Sequence, residues 1–518
     1  MNLGTIGLVM VDKEAHENEK SRREILELTG AAGAAGALGS LAGCLGSSGD
    51  DGGGGDNGSG GGDSGGDNGS GGGGGGSEAI TIQFLSAGAA ENSTATTAFQ
   101  KSMKNYEEMR GNVTVDLQKA SYGDVKSKLS STVAAGNSPA LAEAGSAGLS
   151  FYLDGEVPEH GQWIEATEGY PDQWTTTNEE VANFREEWWG GGAASGSARG
   201  VALRPKLVSQ VGVSDPLTEM KTWSQMYDVV SRIDEQLDTI AWEETGEPVD
   251  LESYWGEART AYSDGNDPWI RGDPTDPDVL MGNEPATDGM VKNTVKLAHR
   301  FSSDESAGRT DEEMASLLLT DRVAIEPHGF QSWAPFTSVK EDATFGWNDG
   351  NGDVMFIPLP KMDGNYGPQI GIPELEGVEG QHGGHVSALE ASKVVFEDDQ
   401  KKMDAAWDLN VYTQTDENHT IPMYGKADPG IPQWTPMFQT FKQELDLPQM
   451  YTGALKTLNE YGPQYTATGA SWDVKGTDKI RWTDMNETIS QAIAGQVNVE
   501  NLPGIIREKM LATLSNQN

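Results

Sequence analysis

Fourteen tryptophans, 80 aspartates and glutamates, and one cysteine, Cys44, are the side chains from which this sequence could build chemistry. Two chemistries suit the tryptophans and acids. Aromatic faces stack on the apolar C–H faces of a sugar ring while carboxylates and amides bond its hydroxyls; alternatively, two carboxylates a few Å apart hydrolyse a glycosidic bond. Acidic residues are so numerous that any pairing can be imagined, and their presence lends no support to a hydrolase. Beyond residue 78 there is no G-x-S-x-G, no H-E-x-x-H and no P-loop. His382-Gly-Gly-His385 offers two imidazoles without an apparent third ligand, so a turn is the simpler reading. A single cysteine excludes a disulfide framework and a thiolate metal site. Neither a metal nor a cofactor is expected.

The elements that would position these groups can be read from residue 79 onward. The stretch "ITIQFL" (80–85) alternates as a strand does, and Phe99, Met103 and Tyr106 mark one face of a helix. "VTVDLQ" (113–118) alternates again, and Val125, Leu129 and Val133 stripe a second helix that "AAGNSP" ends. Strand, helix, strand, helix predicts a βαβ unit with a parallel sheet. From Leu141 to Gly200, where Trp163, Trp174, Trp188 and Trp189 lie, no periodicity assigns elements. Further on, "RGVALRP" (199–205), "RVAIEP" (322–327) and "VMFIPLP" (354–360) read as strands. Thr222 and Gln225 form a capping box ahead of Met226, Val229, Val230 and Ile233; Thr310 and Glu313 open another helix. Helices are also predicted over 403–411, 485–493 and 506–514. The length of this part suits two α/β lobes rather than one small core.

The first 78 residues have another character. Arg22-Arg23, a soft Ala/Gly run and Leu41-Ala42-Gly43-Cys44 read as a twin-arginine export signal (1–43), too short and Gly-rich to span a bilayer. Acidic residues from Asp12 to Glu19 precede the arginines and Glu27 interrupts the apolar run, consistent with a start further downstream. The four residues ending at Cys44 resemble a lipobox, which implies that Cys44 becomes the first mature residue and carries lipid. Residues 44–78 are Gly, Asp, Asn and Ser almost throughout, offering no apolar surface to offset backbone ordering. As a solvated tether such a chain spans about 30 Å.

The whole sequence carries a net charge of −44; residues 1–43 hold four basic and six acidic side chains, leaving −42 on the remainder. That balance excludes a phosphate-binding footprint and hence nucleic acid as a partner. It reads as the solvated surface of a halophilic protein, whose self-repulsion molar salt would screen. Six Asn-x-Ser/Thr triplets, at Asn57, Asn68, Asn92, Asn112, Asn418 and Asn486, are compatible with outward-facing loops of an exported chain.

Taken in order, "ITIQFLSAG", "VTVDLQ", "YGDVKSKLSSTVAAGNSP", "KTWSQMYDVVSRI", "LLLTDRVAIEPHGF", "VMFIPLPKMDG", "GGHVSAL" and "RWTDMNETISQAIAGQVNVENLPGIIREKM" resemble the extracellular solute-binding proteins of ATP-driven (ABC) importers. The sugar-binding group related to maltose-binding protein is the nearest pattern, over nearly all of 79–514. The resemblance implies a two-lobed periplasmic-binding-protein fold of type II, with interleaved α/β lobes and a hinge. Crossover strands are expected near Ala202–Lys206 and Phe356–Pro360, placing 79–203 and 358–420 in the first lobe and 204–357 and 421–518 in the second.

The ligand, a carbohydrate by this resemblance, is expected in the cleft, at loops after strand ends. Trp482, thirteen positions before Gly495, matches the family's stacking tryptophan; Phe330, or Trp333 with a small slip, matches a second aromatic. Glu326, Gln331 and Trp269 are expected neighbours, Asn92 follows the first strand where polar contacts fall, and Tyr152 is a further candidate. Family members usually have an aspartate where this chain has Ala140-Leu141, which weakens the case for contacts from 143–152. The implied partners are a small-molecule ligand, the permease and ATPase subunits, and the membrane through lipid; the implied state is a monomer on the outer face of the cell membrane. One lipid chain anchors only marginally, so a second attachment is expected. The alternatives are an exported acidic glycoside hydrolase, a receptor for another solute, and an adhesion protein, which the alternating βα order disfavours.

Overall fold

The computed structural model describes residues 79–515 other than 91, 145, 175–181, 185–186, 245–284, 304, 307–308, 310, 330–333, 359, 361–385, 388–392, 428–429, 445–478 and 480–483. In chain order the first elements are β1 (Ile80–Ser86), α1 (Ser93–Arg110), β2 (Val113–Lys119), α2 (Tyr122–Ala134), β3 (Leu141–Glu143) and α3 (Ser146–Leu153). A small hairpin, β4 (Asn183–Phe184) and β5 (Glu187–Trp188), precedes the long strand β6 (Ser195–Leu203). Then come α4 (Pro205–Gln210), α5 (Trp223–Gln236), α6 (Pro285–Phe301), α7 (Asp311–Leu319), β7 (Ile325–Gly329), α8 (Ala334–Val339) and β8 (Met355–Pro358). The chain closes with β9 (Val386–Ser387), β10 (Lys393–Val394), α9 (Gln400–Thr415), α10 (Glu417–Pro422), β11 (Ile431–Pro432), α11 (Thr435–Glu444), α12 (Asn486–Ile493) and α13 (Leu502–Ser515).

The βαβ unit read from the sequence is present. β1 lies parallel to β2, in register from Ile80↔Val113 to Ser86↔Lys119, and parallel to β3 on its other side. β10 adds an antiparallel edge, giving the order β10-β3-β1-β2. Alternation along β1 sends Ile82 and Phe84 to the face covered by Phe99, Met103 and Tyr106 of α1, and Leu85 to the face covered by Val125 and Leu129 of α2. α1 is opened by Asn92, whose side chain accepts from Ala95 N–H, and closed by Gly111 at φ 71, a left-handed cap that a Cβ would strain.

The second sheet is organised around β6. At its far end β7 and β8 flank it on either side: Val201 pairs with Pro327 and Ile357, and Leu203 with Ile325 and Met355. At its beginning β11 and β9 pair with residues 195–198. Val201 and Leu203 point into a core with Trp223, Met226, Val230, Leu297, Ile489 and Ile506, while Ala202 faces Phe356 and Phe336. The Thr222 capping box forms as read, with both reciprocal bonds.

Two differences from the sequence reading have simple causes. β6 begins four residues before the predicted strand, because Ser195, Gly196, Ser197 and Ala198 pair through backbone while carrying no apolar alternation. The chain also stays with the elements of the first sheet past residue 420. The Trp434 ring lies 5.1 Å from Tyr170, and Ile431, Met437 and Phe441 enter the core of α1 and α9.

Candidate functional site

At the C-terminal ends of β1 and β3, one carboxylate organises the loop 86–90. Glu143, the last residue of β3, is 4 % exposed. Its Oε2 accepts from Ser86 Oγ at 2.9 Å, Ala87 N–H at 2.7 Å and Gly88 N–H at 2.9 Å. Ser86 Oγ in turn accepts from Ala89 N–H at 3.0 Å. Across the ladder stands the fully buried Lys393 of β10, its Nζ 3.6 Å from Glu143 Oε1. That ammonium donates to Thr413 Oγ1 of α9 at 2.8 Å and lies 5.3 Å from the Phe84 ring centre. A buried ion pair is costly unless hydrogen bonds satisfy its donors and acceptors; here Glu143 Oε2 takes its three bonds from the loop, while Oε1 is left to the Lys393 ammonium. The loop therefore has a fixed backbone at the edge where open α/β sheets bind ligands.

Asn92 sits beside it. Besides capping α1, its Nδ2 donates to Ala427 O at 3.1 Å, so both ends of the amide are bonded within the protein. Tyr152, at the end of α3, donates its phenol to Glu187 of β5. Burial, together with the Glu187 and Glu159 carboxylates, pushes that phenol above its usual range.

On the second sheet, β7 runs back along β6 from Ile325, opposite Leu203, to Gly329, opposite Arg199. Residues 330–333 follow directly. Glu326 is on β7, fully buried and in register with Ala202. The start of α12 is held by Asp484, whose carboxylate receives Lys479 Nζ at 2.9 Å and Thr513 Oγ1 at 2.6 Å. Burial, with a smaller contribution from the Lys479 charge, pulls the ammonium of Lys126 on α2 down to about 8. Trp482, Phe330, Trp333, Gln331, Trp269 and Cys44 lie outside the described residues, as do His382 and His385.

The sequence reading missed Glu143, Lys393 and Lys126. A lone charge inside an otherwise small or apolar run, as in "ALAEA" and "SKVVF", was the available signal for the first two. Among the described residues no three His, Cys, Asp or Glu side chains are grouped to hold a metal ion. No helix among them is long and apolar enough to cross a membrane.

The family model described as "Bacterial extracellular solute-binding protein" matches residues 90–381. Among solved structures, an ABC transporter solute-binding protein from Thermotoga lettingae, bound with alpha-D-tagatose, is 15 % identical with a TM-score of 0.62, covering 85 % of this chain and 100 % of that one. An ABC substrate-binding protein from Listeria monocytogenes in complex with cycloalternan is 13 % identical with a TM-score of 0.61, covering 85 % and 100 %. The sugar-binding protein MalE from Xanthomonas citri is 15 % identical with a TM-score of 0.58, covering 84 % and 98 %. No protein in the curated collection matches the chain. At these identities the structures show the fold, the two-lobed type II arrangement with interleaved lobes and a hinge. The family match, over more than half the sequence, shows the rest: this chain belongs to the extracellular solute-binding proteins, transport components that bind rather than catalyse.

Proposed function

We propose that this protein captures a sugar or oligosaccharide between its lobes by hinge closure and delivers it to an ABC permease while held to the outer membrane face by lipid on Cys44. The observation that carries the reading is the family match combined with a strand, β6, that pairs with elements of both halves of the chain. Support for a carbohydrate ligand comes from the neighbouring structures, which are bound with alpha-D-tagatose or cycloalternan or described as sugar-binding.

In this reading Trp482 and Phe330 or Trp333 supply stacking faces, and Gln331, Trp269 and Glu326 complete the second-lobe wall. The loop held by Glu143, with Asn92 behind it, forms the facing floor. Ligand shifts the hinge only by its differential affinity for the closed form, so the aromatics must engage most fully once the lobes meet. The tether between Cys44 and residue 79 gives the lobes room to turn toward the permease.

The test is a thermal-shift screen of mono- and oligosaccharides in molar salt, in which a ligand at a hundred times its Kd adds about 2.7 kcal/mol of stability. Trp482→Ala should abolish the response to the sugar that gives it. A response confined to amino acids, peptides or polyamines would contradict the sugar assignment. For the anchor, Cys44→Ser should move the protein from the membrane fraction to the medium; unchanged membrane retention would contradict it.

A further inference from the structure

Six Asn-x-Ser/Thr triplets occur in the sequence, and the fold sorts the four that lie among the described residues. Asn92 is bonded at both ends of its amide and stands at the ligand-facing edge of the first sheet. Asn486 is buried in the first turn of α12. Asn418 is exposed at the start of α10, but the hydroxyl its triplet needs, on Thr420, is fully buried and donates to Asp416 O at 2.9 Å. A transferase acting on the folded chain reaches none of these three complete triplets.

Asn112 differs at each point. It follows Gly111, the left-handed cap of α1, in the short turn before β2. Its backbone carbonyl is fixed by Ile80 N–H at 2.9 Å, whereas its side-chain amide makes no hydrogen bond among the described residues. Val113 is buried and pins the turn, and Thr114 is exposed. The turn also lies at the far edge of the sheet from the Glu143-bound loop. β1 and β2 run in register from Ile80↔Val113 to Ser86↔Lys119, so the two ends are separated by about 20 Å at ~3.3 Å per residue. A bulky substituent there leaves the lobes free to close; one on Asn92 would not.

We propose that Asn112 is an N-glycosylation site of the exported protein. The donor is an oligosaccharide linked through phosphate or pyrophosphate to a membrane lipid. Asn112 Nδ2 forms a bond to its anomeric carbon, the carbon–oxygen bond to phosphate breaks, the electron pair leaves with the lipid phosphate, and one amide proton passes to the transferase. The inference rests on the extracellular family and the local geometry, and stands whatever solute the cleft binds.

The experiment is glycopeptide mass spectrometry on full-length protein purified from the cells that export it. The expected result is a glycan on the peptide containing Asn112 and bare asparagine at 92, 418 and 486. Asn112→Gln and Thr114→Ala should each lower the intact mass by one glycan, Thr114→Ser should retain it, and the melting response to ligand should be unchanged in all three. An unmodified Asn112 peptide overturns the proposal, and does so most directly if Asn57 or Asn68 in the same sample carries a glycan.

Discussion

Glu143 and Lys393 place two opposite charges inside the first sheet, where neither would remain without the other. Glu143→Ala would strand the ammonium and release three donors of the 86–88 loop, and is expected to cost about 3–5 kcal/mol. Guanidinium unfolding in molar salt measures this, and the Glu143→Gln/Lys393→Met pair should recover part of the loss; an unchanged midpoint for Glu143→Ala would remove the carboxylate from its assigned role. A second buried group sets a pH dependence. His160 lies 5.6 Å from the Trp163 ring and 5.8 Å from Trp407, and burial pulls it down to about 4. Between pH 6.5 and 4 the unfolded chain takes up a proton that the native state refuses. Stability should therefore fall as pH drops through that window, by about 3 kcal/mol in all. His160→Gln should flatten the slope, and an identical slope in the variant would contradict the assignment. His419, buried against Ser102 and Tyr424, is shifted in the same direction. In the sequence the charge pair shows only as two lone charges in small or apolar runs and the buried histidines not at all, because a charged or titratable residue looks solvated until a second, distant segment covers it.

Elements were more legible than their partners. Alternation located β1, β2 and the core of β6, and the capping box located α5. Periodicity carries no information on which strands meet, however, and β6 alone is joined by four others. At its C-terminal end Arg204 ties the segments that lead into β7 and β8. Its Nε donates to Asp321 at 2.7 Å, and its Nη1 to Asp353 O at 2.8 Å and to the Asp353 carboxylate at 3.1 Å. Burial alone would raise the Asp353 carboxyl, yet bonds from Lys340, Thr344 and Arg204 hold it well below the usual carboxylate range. Arg204→Met is expected to lower stability by about 3 kcal/mol, and Arg204→Lys to recover only part, since one ammonium does not reproduce the planar fork. A denaturant midpoint unchanged in Arg204→Met would show that the β6–β8 ladder holds without it. The stretch 141–200 gave no periodic signal because short elements there, α3 and the β4–β5 hairpin, bury Leu149 and Trp189 among glycines and glutamates without a sustained stripe.

For the molecule as a whole, the fold class and the receptor family were legible because many weak phrases recur in a fixed order. The aromatics named for the cleft, Trp482, Phe330, Trp333 and Trp269, lie outside the described residues. Net charge was read directly, and it makes a prediction: at −44, self-repulsion acts over about 10 Å in 0.1 M salt but only about 3 Å in 1 M. The melting temperature should rise steeply between 0.1 and 2 M KCl, and a flat profile would contradict a fold held against its own charge. The central claim is that two lobes joined through β6 and β8 close on a small solute. Small-angle X-ray scattering of the full-length protein in molar salt, with and without the sugar that raises its melting temperature most, tests it directly. The account predicts a smaller radius of gyration and a shorter maximum dimension at saturating sugar; superimposable curves with the sugar demonstrably bound would contradict it.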